Sequence, residues 1–255
     1  MNGLNSSAPR TDAPATCKPI AVFQHTEVGA PGAVIDVLEA LGREARVVRV
    51  VDGQEVPSDA SAFGGLVFMG GSMSAHDSWP WIAQELALIR DADRHGIPVA
   101  GHCLGSQLLA LALGGEVRRH SQPEIGWCGI TTETSQTADE WWGAHAGQDL
   151  QTFQWHADTF EPPAGAVRLA HGAHCRNQAF VVRDLHLLVQ SHLEMTPALV
   201  HLSVERNGHQ LARENALANP AASRYEDVLL DLSRRTQSMH LPLLQLYTRW
   251  TSRCR

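Results

Sequence analysis

The sequence predicts an α/β fold built on a mainly parallel β-sheet, and two observations lead to this prediction. Short apolar runs typical of buried strands alternate with segments of helical spacing as far as residue 115. Glycines follow the helical segments, and this alternation favours βαβ units. With 255 residues, of which 44% are hydrophobic, the chain is long enough to bury the core of such a sheet.

The first half of the chain supplies four predicted strands and three predicted helices. The strands are the apolar runs at residues 19–25, 45–51, 65–69 and 97–101. Helices are expected at residues 33–41, 78–96 and 104–113. Ser78 is expected to cap the second helix, because a serine hydroxyl accepts from a free N–H and Pro80 fits the first turn.

The second half of the chain changes character. The strand-like runs are short, and Asp184 between the last two suggests a hairpin turn, so we expect antiparallel pairing in an inserted or continuing layer. The runs lie at residues 129–132, 150–155, 166–170, 179–183 and 186–190. Helix is expected again from Thr196-Pro197, a cap and a first helical residue, and over residues 222–250 after a break at Asn219-Pro220.

Composition divides the chain into three parts. Residues 1–18 are rich in Ser, Thr, Pro, Asn and Ala and are expected to form a disordered lead. Residues 19–200 form the predicted α/β domain. Residues 201–255 are expected to be a C-terminal helical extension that packs on the same domain.

Charge and cysteine content exclude several classes of protein. Twenty Lys and Arg against 27 Asp and Glu give a net charge of −7, which argues against nucleic acid or an anionic membrane surface as partner. No apolar run approaches the roughly 20 residues of a membrane helix, and no signal peptide is expected. Five widely spaced cysteines are typical of a reduced chain without disulfides, so a cytoplasmic protein is expected.

The most informative motif is Gly101-His102-Cys103-Leu104-Gly105, between a predicted strand and a predicted helix. It has the G-x-nucleophile-x-G pattern of a nucleophile elbow, in which glycines allow a tight turn to lift the nucleophile out of the sheet. The helix that follows points the positive end of its dipole at the sulfur and favours the thiolate. The alternative is a buried structural cysteine, but the flanking strand and helix favour the catalytic interpretation.

An activated thiol needs a base, and the base needs a group that orients it. His192 and Glu194 lie two residues apart after a predicted strand, so alternation places both side chains on the same side. Glu194 is thus a candidate for holding His192 in the tautomer that accepts the thiol proton. A surface polar pair at the end of a strand is the alternative.

Gly70 and Gly71 follow another predicted strand. Glycines at this place allow backbone N–H groups to approach a substrate carbonyl, and with the N–H of Leu104 they would form an oxyanion hole. An ordinary turn after a strand is the alternative, and it is favoured when the pair is taken alone.

Taken together, these motifs resemble the class I, triad-type glutamine amidotransferases, whose elbow reads G-x-C-x-G-x-Q and whose later motif reads H-x-E. The elbow here continues through Ser106 to Gln107, and the resemblance extends over about Pro19 to Pro197. It implies a flavodoxin-like open sheet flanked by helices, to which the residue pattern adds a small antiparallel layer and C-terminal helices. The site would lie at the carboxyl ends of the strands.

The resemblance also implies roles for the motif residues. Cys103 would be the nucleophile, His192 the general base and acid, and Glu194 the residue that orients His192. Oxyanion and substrate contacts would come from Gly70, Gly71, Leu104 and Gln107. The implied chemistry is attack on a side-chain amide, loss of ammonia and hydrolysis of a γ-glutamyl thioester, without a metal or a cofactor.

Two departures from the family pattern bear on the function. Leu193 stands where proline is common, which leaves both functional residues of the motif in place. The sequence contains no nucleotide-binding loop and no second large domain, so an ammonia acceptor is expected on a separate synthetase subunit or is absent. Stand-alone relatives of this type resemble the glutaminase domain of GMP synthetase.

Three functions therefore stay open. The first is hydrolysis of the γ-amide of glutamine or of a γ-glutamyl compound. The second is cleavage of γ-glutamyl peptides without ammonia transfer, and the third is a catalytically idle member that serves as a binding or regulatory subunit. The intact Cys103, His192 and Glu194 favour an enzyme.

Other polar and aromatic residues carry weaker signals. His156 and Asp158 are expected just after a strand, either near the rim of the site or as a polar pair at the strand end. His171, His174 and Cys175 lack the spacing of a full metal-ligand set, so no metal site is expected. The remaining candidates for shaping the pocket mouth, or only for packing, are Trp141-Trp142 and residues 122–127.

Overall fold

The computed structural model describes residues 17–254, and within them nine strands form one β-sheet. In chain order the strands are β1 (Ile20–Gln24), β2 (Ala45–Arg49), β3 (Gly65–Phe68), β4 (Val99–His102), β5 (Glu116–Thr132), β6 (Asp149–Glu161), β7 (Ala166–Gly172), β8 (Ala179–Val182) and β9 (His186–Val189). Their order across the sheet is β2-β1-β3-β4-β9-β8-β7-β5-β6.

One half of the sheet is parallel. Strands β2, β1, β3, β4 and β9 pair in parallel, in the 2-1-3-4-5 order of flavodoxin-like folds when β9 is counted as the fifth strand. Four of them, β1, β3, β4 and β9, are buried at every position, as expected for strands that helices cover on both faces. The predicted α/β sheet flanked by helices is confirmed.

The other half of the sheet is antiparallel. Strands β5 to β8 extend the same sheet beyond β9, so they continue it. With 17 and 13 residues, β5 and β6 are much longer than the predicted runs. Polar residues such as Gln154 and Thr159 are buried within β6, so the hydrophobic pattern of the sequence does not show the full length of this strand. His156 and Asp158 consequently lie inside β6, and the expectation that they follow a strand is wrong.

Six α-helices lie within the part of the chain that the structure describes. They are α1 (Ala33–Ala40), α2 (Pro80–Arg94), α3 (Leu104–Ala112), α4 (Gln136–Trp142), α5 (Pro197–Ala216) and α6 (Leu232–Thr251). Helices α2 and α3 pack on one face of the sheet, and α1, α4, α5 and α6 pack on the other. Alternate residues of β3 face opposite layers, with Val67 in one core and Phe68 in the other.

The beginning of α2 differs from the prediction. Trp79 precedes the helix and no side chain caps it, so the assignment of Ser78 as the cap is wrong. Pro80 does take the first helical position, where its missing N–H has no helical partner to lose. Thr196 caps α5 as predicted, because its hydroxyl accepts a hydrogen bond from the N–H of Leu199.

The predicted helix over residues 222–250 begins ten residues late, at Leu232. Ala222 forms an isolated bridge with Ile125, and residues 225–231 form turns instead. The side chain of Asn215 explains this, because it donates to the carbonyl of Ser223 and accepts from the N–H of Tyr225. Side-chain bonds of this kind compete with helical hydrogen bonds.

Most of the predicted lead at residues 1–18 lies outside the described residues. The division between residues 19–200 and a C-terminal extension stays a prediction, and α5 runs across residue 200. Helix α6 packs in the core, with Leu243, Leu246 and Trp250 fully buried. Among residues 17–254, no helix combines the length and the apolar character that crossing a bilayer requires.

His186 makes the stability of the sheet dependent on pH. Its Nδ1 accepts from the N–H of Val99 at 3.2 Å, and its Nε2 lies 3.0 Å from Asp93, which together require the neutral ring. Burial lowers the pKa of His186 below 6.5, and the hydrogen bond and charge of Asp93 oppose this shift only partly. Because the unfolded chain then binds a proton more readily, stability is present above pH 6.5 and is lost as the pH falls below it.

We predict that His186→Gln reduces this pH dependence. For the wild type, His186 contributes a fall in the free energy of unfolding of up to about 1.4 kcal/mol per pH unit below pH 6.5. Glutamine can accept and donate at similar positions but does not titrate, so this component is lost. Urea denaturation of both proteins at pH 7 and pH 5 measures the difference, and an identical pH dependence would contradict the assignment.

Candidate active site

Three neighbouring parallel strands bring the predicted site residues together. Strands β3, β4 and β9 lie side by side, so their carboxyl ends meet at one edge of the sheet. Gly70 and Gly71 follow β3, Cys103 follows β4, and His192 comes three residues after β9. This edge is the place where open α/β sheets bind their ligands.

Cys103 occupies a strained turn between β4 and α3. Its φ of 50° is unusual for a residue other than glycine, and it directly precedes the first residue of α3. A Cβ on Gly105 would lie 1.9 Å from the carbonyl oxygen of Phe68, and one on Gly101 would lie 2.5 Å from the carbonyl carbon of Gly105. Both glycines of the motif are therefore required for the approach of α3 to the sheet.

His192 and Glu194 form a buried pair beside the thiol. His192 Nδ1 lies 2.7 Å from Glu194 Oε1, and the backbone of His192 exchanges two hydrogen bonds with Phe153 of β6. Burial lowers the pKa of His192, but the charges of Glu194 and Cys103 and hydrogen bonds to both outweigh it and raise this pKa well above 6.5. The arrangement favours an imidazolium held by the Glu194 carboxylate beside the sulfur of Cys103.

Glu194 also contacts a second histidine, His102. The elbow motif contains this histidine, but nothing in the sequence shows that it is a partner of Glu194. His102 Nδ1 lies 3.2 Å from Glu194 Oε2, and His102 Nε2 lies 2.8 Å from the hydroxyl of Tyr247 on α6. Burial raises the pKa of Glu194, but His192 and His102 together hold it far below its ordinary value. The carboxylate is thus ionised between two imidazole rings.

The glycine pair lies against the thiol and the imidazole. A Cβ on Gly70 would lie 3.0 Å from His192 Cε1 and 3.6 Å from Cys103 Cβ. Within residues 17–254, no backbone carbonyl accepts a hydrogen bond from the N–H of Gly71 or of Leu104. Leu104 is the first residue of α3, where the N–H has no helical partner. The two N–H groups are therefore available to a ligand atom.

A buried histidine and carboxylate that sequence reasoning missed hold this glycine loop. His25 Nδ1 lies 3.0 Å from the carbonyl oxygen of Met69 and 3.3 Å from that of Gly70, and its Nε2 lies 3.0 Å from both oxygens of Glu85. Carbonyls only accept, so Nδ1 carries a proton. Burial raises the pKa of Glu85, and the charge of His25 opposes the rise. The signal available in the sequence was Glu85, a carboxylate among the α2 positions that face the core.

The site opens into a cleft of about 510 Å³. Besides Cys103 and His192, its walls include Trp155 of β6 and polar residues of α5, among them Gln210 and Arg213. Gln107 also lines it, and the amide Nε2 of this residue donates to the carbonyl of Asp158. Sequence reasoning did not assign the α5 residues to the site, because nothing in a helical segment shows which strand ends it will cover.

A second group of cysteine, histidine and glutamate lies nearby. Glu124, His156 and Cys175 each offer a ligand atom within 4.8 Å of the others, which makes them the described residues that could hold a metal ion. The carboxylate of Glu124 already accepts from Gln178 and from the N–H of Cys175 and lies 2.9 Å from His156 Nε2. These bonds satisfy it without a cation.

Of the remaining candidates, residues 122–127 reach the cleft, which Pro123 and Ile125 line, whereas the others are structural. Cys175 does not join His171 and His174 in a cluster, since its Sγ contacts the hydroxyl of Thr159 and His171 pairs with Glu133. Trp141 and Trp142 are fully buried against the C-terminal helix and pack in the core, away from the cleft mouth.

Comparison with known proteins identifies the family. The fold places the chain among the α/β proteins whose sites lie at the carboxyl ends of parallel strands. The sequence profile of the family "Glutamine amidotransferase class-I" matches residues 29–209, well over half of the chain. The chain therefore belongs to the class-I glutamine amidotransferase family, which confirms the predicted resemblance and supports amidohydrolase chemistry in general.

Individual relatives agree with this assignment. The crystal structure of a glutamine amido transferase from Methylobacillus flagellatus matches with a TM-score of 0.89 and 36% identity, over 94% of this chain and 96% of that chain. Gamma-glutamyl peptidase 4 of Arabidopsis thaliana is 28% identical, over 68% of this chain and 70% of its own length. A glutamine-hydrolyzing GMP synthase subunit of Saccharolobus solfataricus is 30% identical, over 52% of this chain and 67% of its own.

The close contact at Gly105 gives a stability prediction. We expect Gly105→Ala to lower the free energy of unfolding by about 1–3 kcal/mol or more, because the added methyl group overlaps the backbone of β3. Gly129→Ala is the matched control, since Gly129 is exposed and a Cβ there meets nothing within 4 Å. Chemical denaturation of both variants measures the effect, and equal stabilities would show that the elbow is not tightly packed.

Proposed function

We propose that this protein is a cysteine amidohydrolase that hydrolyses the γ-amide of glutamine or of a γ-glutamyl compound through a thioester on Cys103. The observation that carries the proposal is the placement of Cys103, at a strained strand–helix turn beside the buried pair of His192 and Glu194. Membership of the class-I glutamine amidotransferase family supports it. Neither a metal nor a cofactor takes part.

In the proposed mechanism, the Cys103 thiolate attacks the γ-carbonyl carbon and a C–S bond forms. His192 Nδ1 is held by Glu194, so its Nε2 faces the reaction and gives a proton to the leaving nitrogen as the C–N bond breaks. Water then attacks the thioester, His192 takes a proton from it, and the thiolate leaves. Glu194 keeps the ring oriented and stabilises the imidazolium.

The oxyanion of each tetrahedral intermediate is assigned to the N–H groups of Gly71 and Leu104, which no backbone carbonyl within residues 17–254 engages. Donors placed in this way contribute about 10²–10³-fold to kcat in related chemistry. Gly70 keeps the loop close to the thiol because it has no side chain. We assign Gln107, which lines the cleft, to contact with the glutamyl part of the substrate.

Transfer of the released ammonia would require an acceptor on a second protein. The relative from Saccharolobus solfataricus is named as one subunit of a GMP synthase. By analogy, a separate synthetase subunit is the partner proposed for this chain if ammonia is transferred. Ammonia released to solvent at the same rate with and without candidate partners would argue for simple hydrolysis.

A second candidate function is cleavage of γ-glutamyl peptides. The size of the cleft favours it, because the space continues from Cys103 past Trp155 to Gln210 and Arg213 on α5 and can hold a group beyond the γ-amide. The relative named gamma-glutamyl peptidase 4 supports the same substrate class. Comparing kcat/KM for glutamine with that for a set of γ-glutamyl dipeptides separates the two candidates.

We predict that Cys103→Ala abolishes hydrolysis while the protein stays folded, because alanine fits the turn but has no nucleophile. Cys175→Ala, in the other cysteine–histidine–glutamate group, is the matched control and should keep kcat within about threefold. Release of ammonia or amine is the measurement. Labelling of Cys103 by a glutamine-like electrophile, detected by mass spectrometry, separates an enzyme from an idle binding subunit.

The opposite result would assign catalysis to a different group of residues. If Cys175→Ala were inactive and Cys103→Ala active, catalysis would belong to the group of Glu124, His156 and Cys175. If neither substitution changed turnover, neither Cys103 nor Cys175 would be the nucleophile, and the proposed function would be overturned.

We predict that Glu194→Gln lowers kcat by at least about 10²-fold with little change in KM, because an amide cannot stabilise the imidazolium. His192→Ala should be at least as damaging, and the double variant no worse than the worse single variant, since the two residues act as one unit. Glu205→Gln, an exposed site on α5, is the control. Additive losses, or a normal kcat for Glu194→Gln, would mean that another group orients the base.

A further inference from the structure

We propose that His102 and Tyr247 are positioning residues for this site and that they tie its carboxylate to the C-terminal helix α6. The chain of contacts runs from the Tyr247 hydroxyl to His102, from His102 to Glu194, and from Glu194 to His192. The inference rests on the proposed function, in which Glu194 orients the base. It adds two residues that lie outside the usual motif of cysteine, histidine and glutamate.

The first observation is a pair of buried polar atoms that face each other. His102 Nδ1 and Glu194 Oε2 are 3.2 Å apart, which pairs the two groups without regular hydrogen-bond geometry, and within residues 17–254 neither atom makes a hydrogen bond to any other group. Both side chains are almost completely buried. Leaving a carboxylate oxygen unpaired inside a protein is strongly unfavourable, so each of these atoms depends on the other.

The second observation concerns where the protons lie along this chain of contacts. An ionised carboxylate only accepts, so His102 Nδ1 must carry the proton that faces Glu194. In the neutral ring Nε2 is then the acceptor, and the Tyr247 hydroxyl 2.8 Å away is the donor that suits it. Burial raises the pKa of Tyr247 well above 10, and the charge of Glu194 adds to this, so the hydroxyl keeps its proton.

The third observation is that each carboxylate oxygen of Glu194 lies close to a different imidazole ring. His192 holds Oε1 and His102 faces Oε2, so the carboxylate cannot rotate without losing one of the two contacts. A fixed carboxylate fixes the imidazole plane of His192 in turn. His102 is also the residue before Cys103 in the elbow, so one turn positions both the thiol and the carboxylate that serves its base.

Tyr247 brings a separate part of the chain into the site. It lies on α6, beyond residues 29–209 that match the family profile, and it is fully buried beside Trp250. The ring of His102 packs against that of Tyr247 with centroids 5.9 Å apart. Helix α6 therefore contributes to the orientation of the base as well as to the core.

The test compares two variants that each lose one hydroxyl. Tyr247→Phe changes the proposed positioning residue, and Tyr225→Phe changes the other tyrosine of the chain, which is half-exposed, as the control. A γ-glutamyl substrate is used, and kcat is expressed per thiol that a glutamine-like electrophile labels, so loss of folded protein does not count as loss of catalysis. We expect Tyr247→Phe to lower kcat about tenfold with KM unchanged, as loss of one buried hydrogen bond would produce. Tyr225→Phe should match the wild type.

Two substitutions at His102 test the other link. His102→Leu removes the donor that faces Glu194 and should lower kcat per labelled site about 10²-fold. His102→Asn keeps an N–H near the position of Nδ1 and should recover part of the loss. If His102→Leu does not fold, Tyr247→Phe still tests the proposal. A normal kcat per labelled site for Tyr247→Phe would overturn the proposal, as would equal kcat values for His102→Leu and His102→Asn.

A spectroscopic measurement separates this proposal from the proposed function. The proton on His192 Nδ1, bonded to Glu194, can be followed by NMR in protein labelled with ¹⁵N-histidine without any turnover. In Tyr247→Phe this proton should exchange with water faster than in the wild type and in Tyr225→Phe. A wild type that neither turns over nor is labelled would overturn the proposed function, whereas unchanged exchange in Tyr247→Phe would overturn the role of Tyr247.

Discussion

The buried carboxylate of Glu194 is the constraint around which the site is organised. Only 1% of this residue is exposed, so its charge must be balanced inside the protein. His192 and His102 provide that balance from two sides. Backbone carbonyls of the same segment also contact two helices. The carbonyl oxygen of Glu194 accepts a hydrogen bond from the N–H of Ala33 at the start of α1, and the carbonyl oxygen of Met195 lies 2.9 Å from Nε2 of His240 on α6.

The antiparallel half of the sheet completes the site that the parallel half begins. Parallel strands place Cys103 and His192 at neighbouring strand ends, but β6 holds His192 in place through two backbone hydrogen bonds with Phe153. In the same strand, the carbonyl oxygen of Asp158 accepts a hydrogen bond from Nε2 of Gln107. The long β5–β6 pair therefore acts as a wall of the cleft and as a support for the imidazole. Its polar interior fits this role, because polar side chains can be buried there when they bond to one another.

The parallel half of the fold and the residues of the elbow could be predicted from the sequence, because both depend on residues that are close together along the chain. A run such as Ile20 to Gln24 is apolar throughout most of its length, and the need for Gly101 and Gly105 follows from a tight turn. The long strands β5 and β6 were underestimated, since their buried positions include polar residues that pair only across the sheet. The contact of His102 with Glu194 joins residues 92 positions apart, and no spacing rule in the sequence can show it.

The two groups of cysteine, histidine and glutamate show why residue types alone do not define a thiol site. In the group of Glu124, His156 and Cys175, burial raises the pKa of the thiol, and the carboxylate is already satisfied by neighbouring N–H groups. Cys103 instead has a positive φ, begins a helix and lines the cleft. The difference lies in the backbone: Cys175 lies in the loop between β7 and β8, whereas Cys103 follows a strand end at a tight turn that presents its side chain to the cleft. Of the two thiols, Cys103 lines the cleft beside a histidine whose pKa is raised, whereas the sulfur of Cys175 is in contact with the hydroxyl of Thr159.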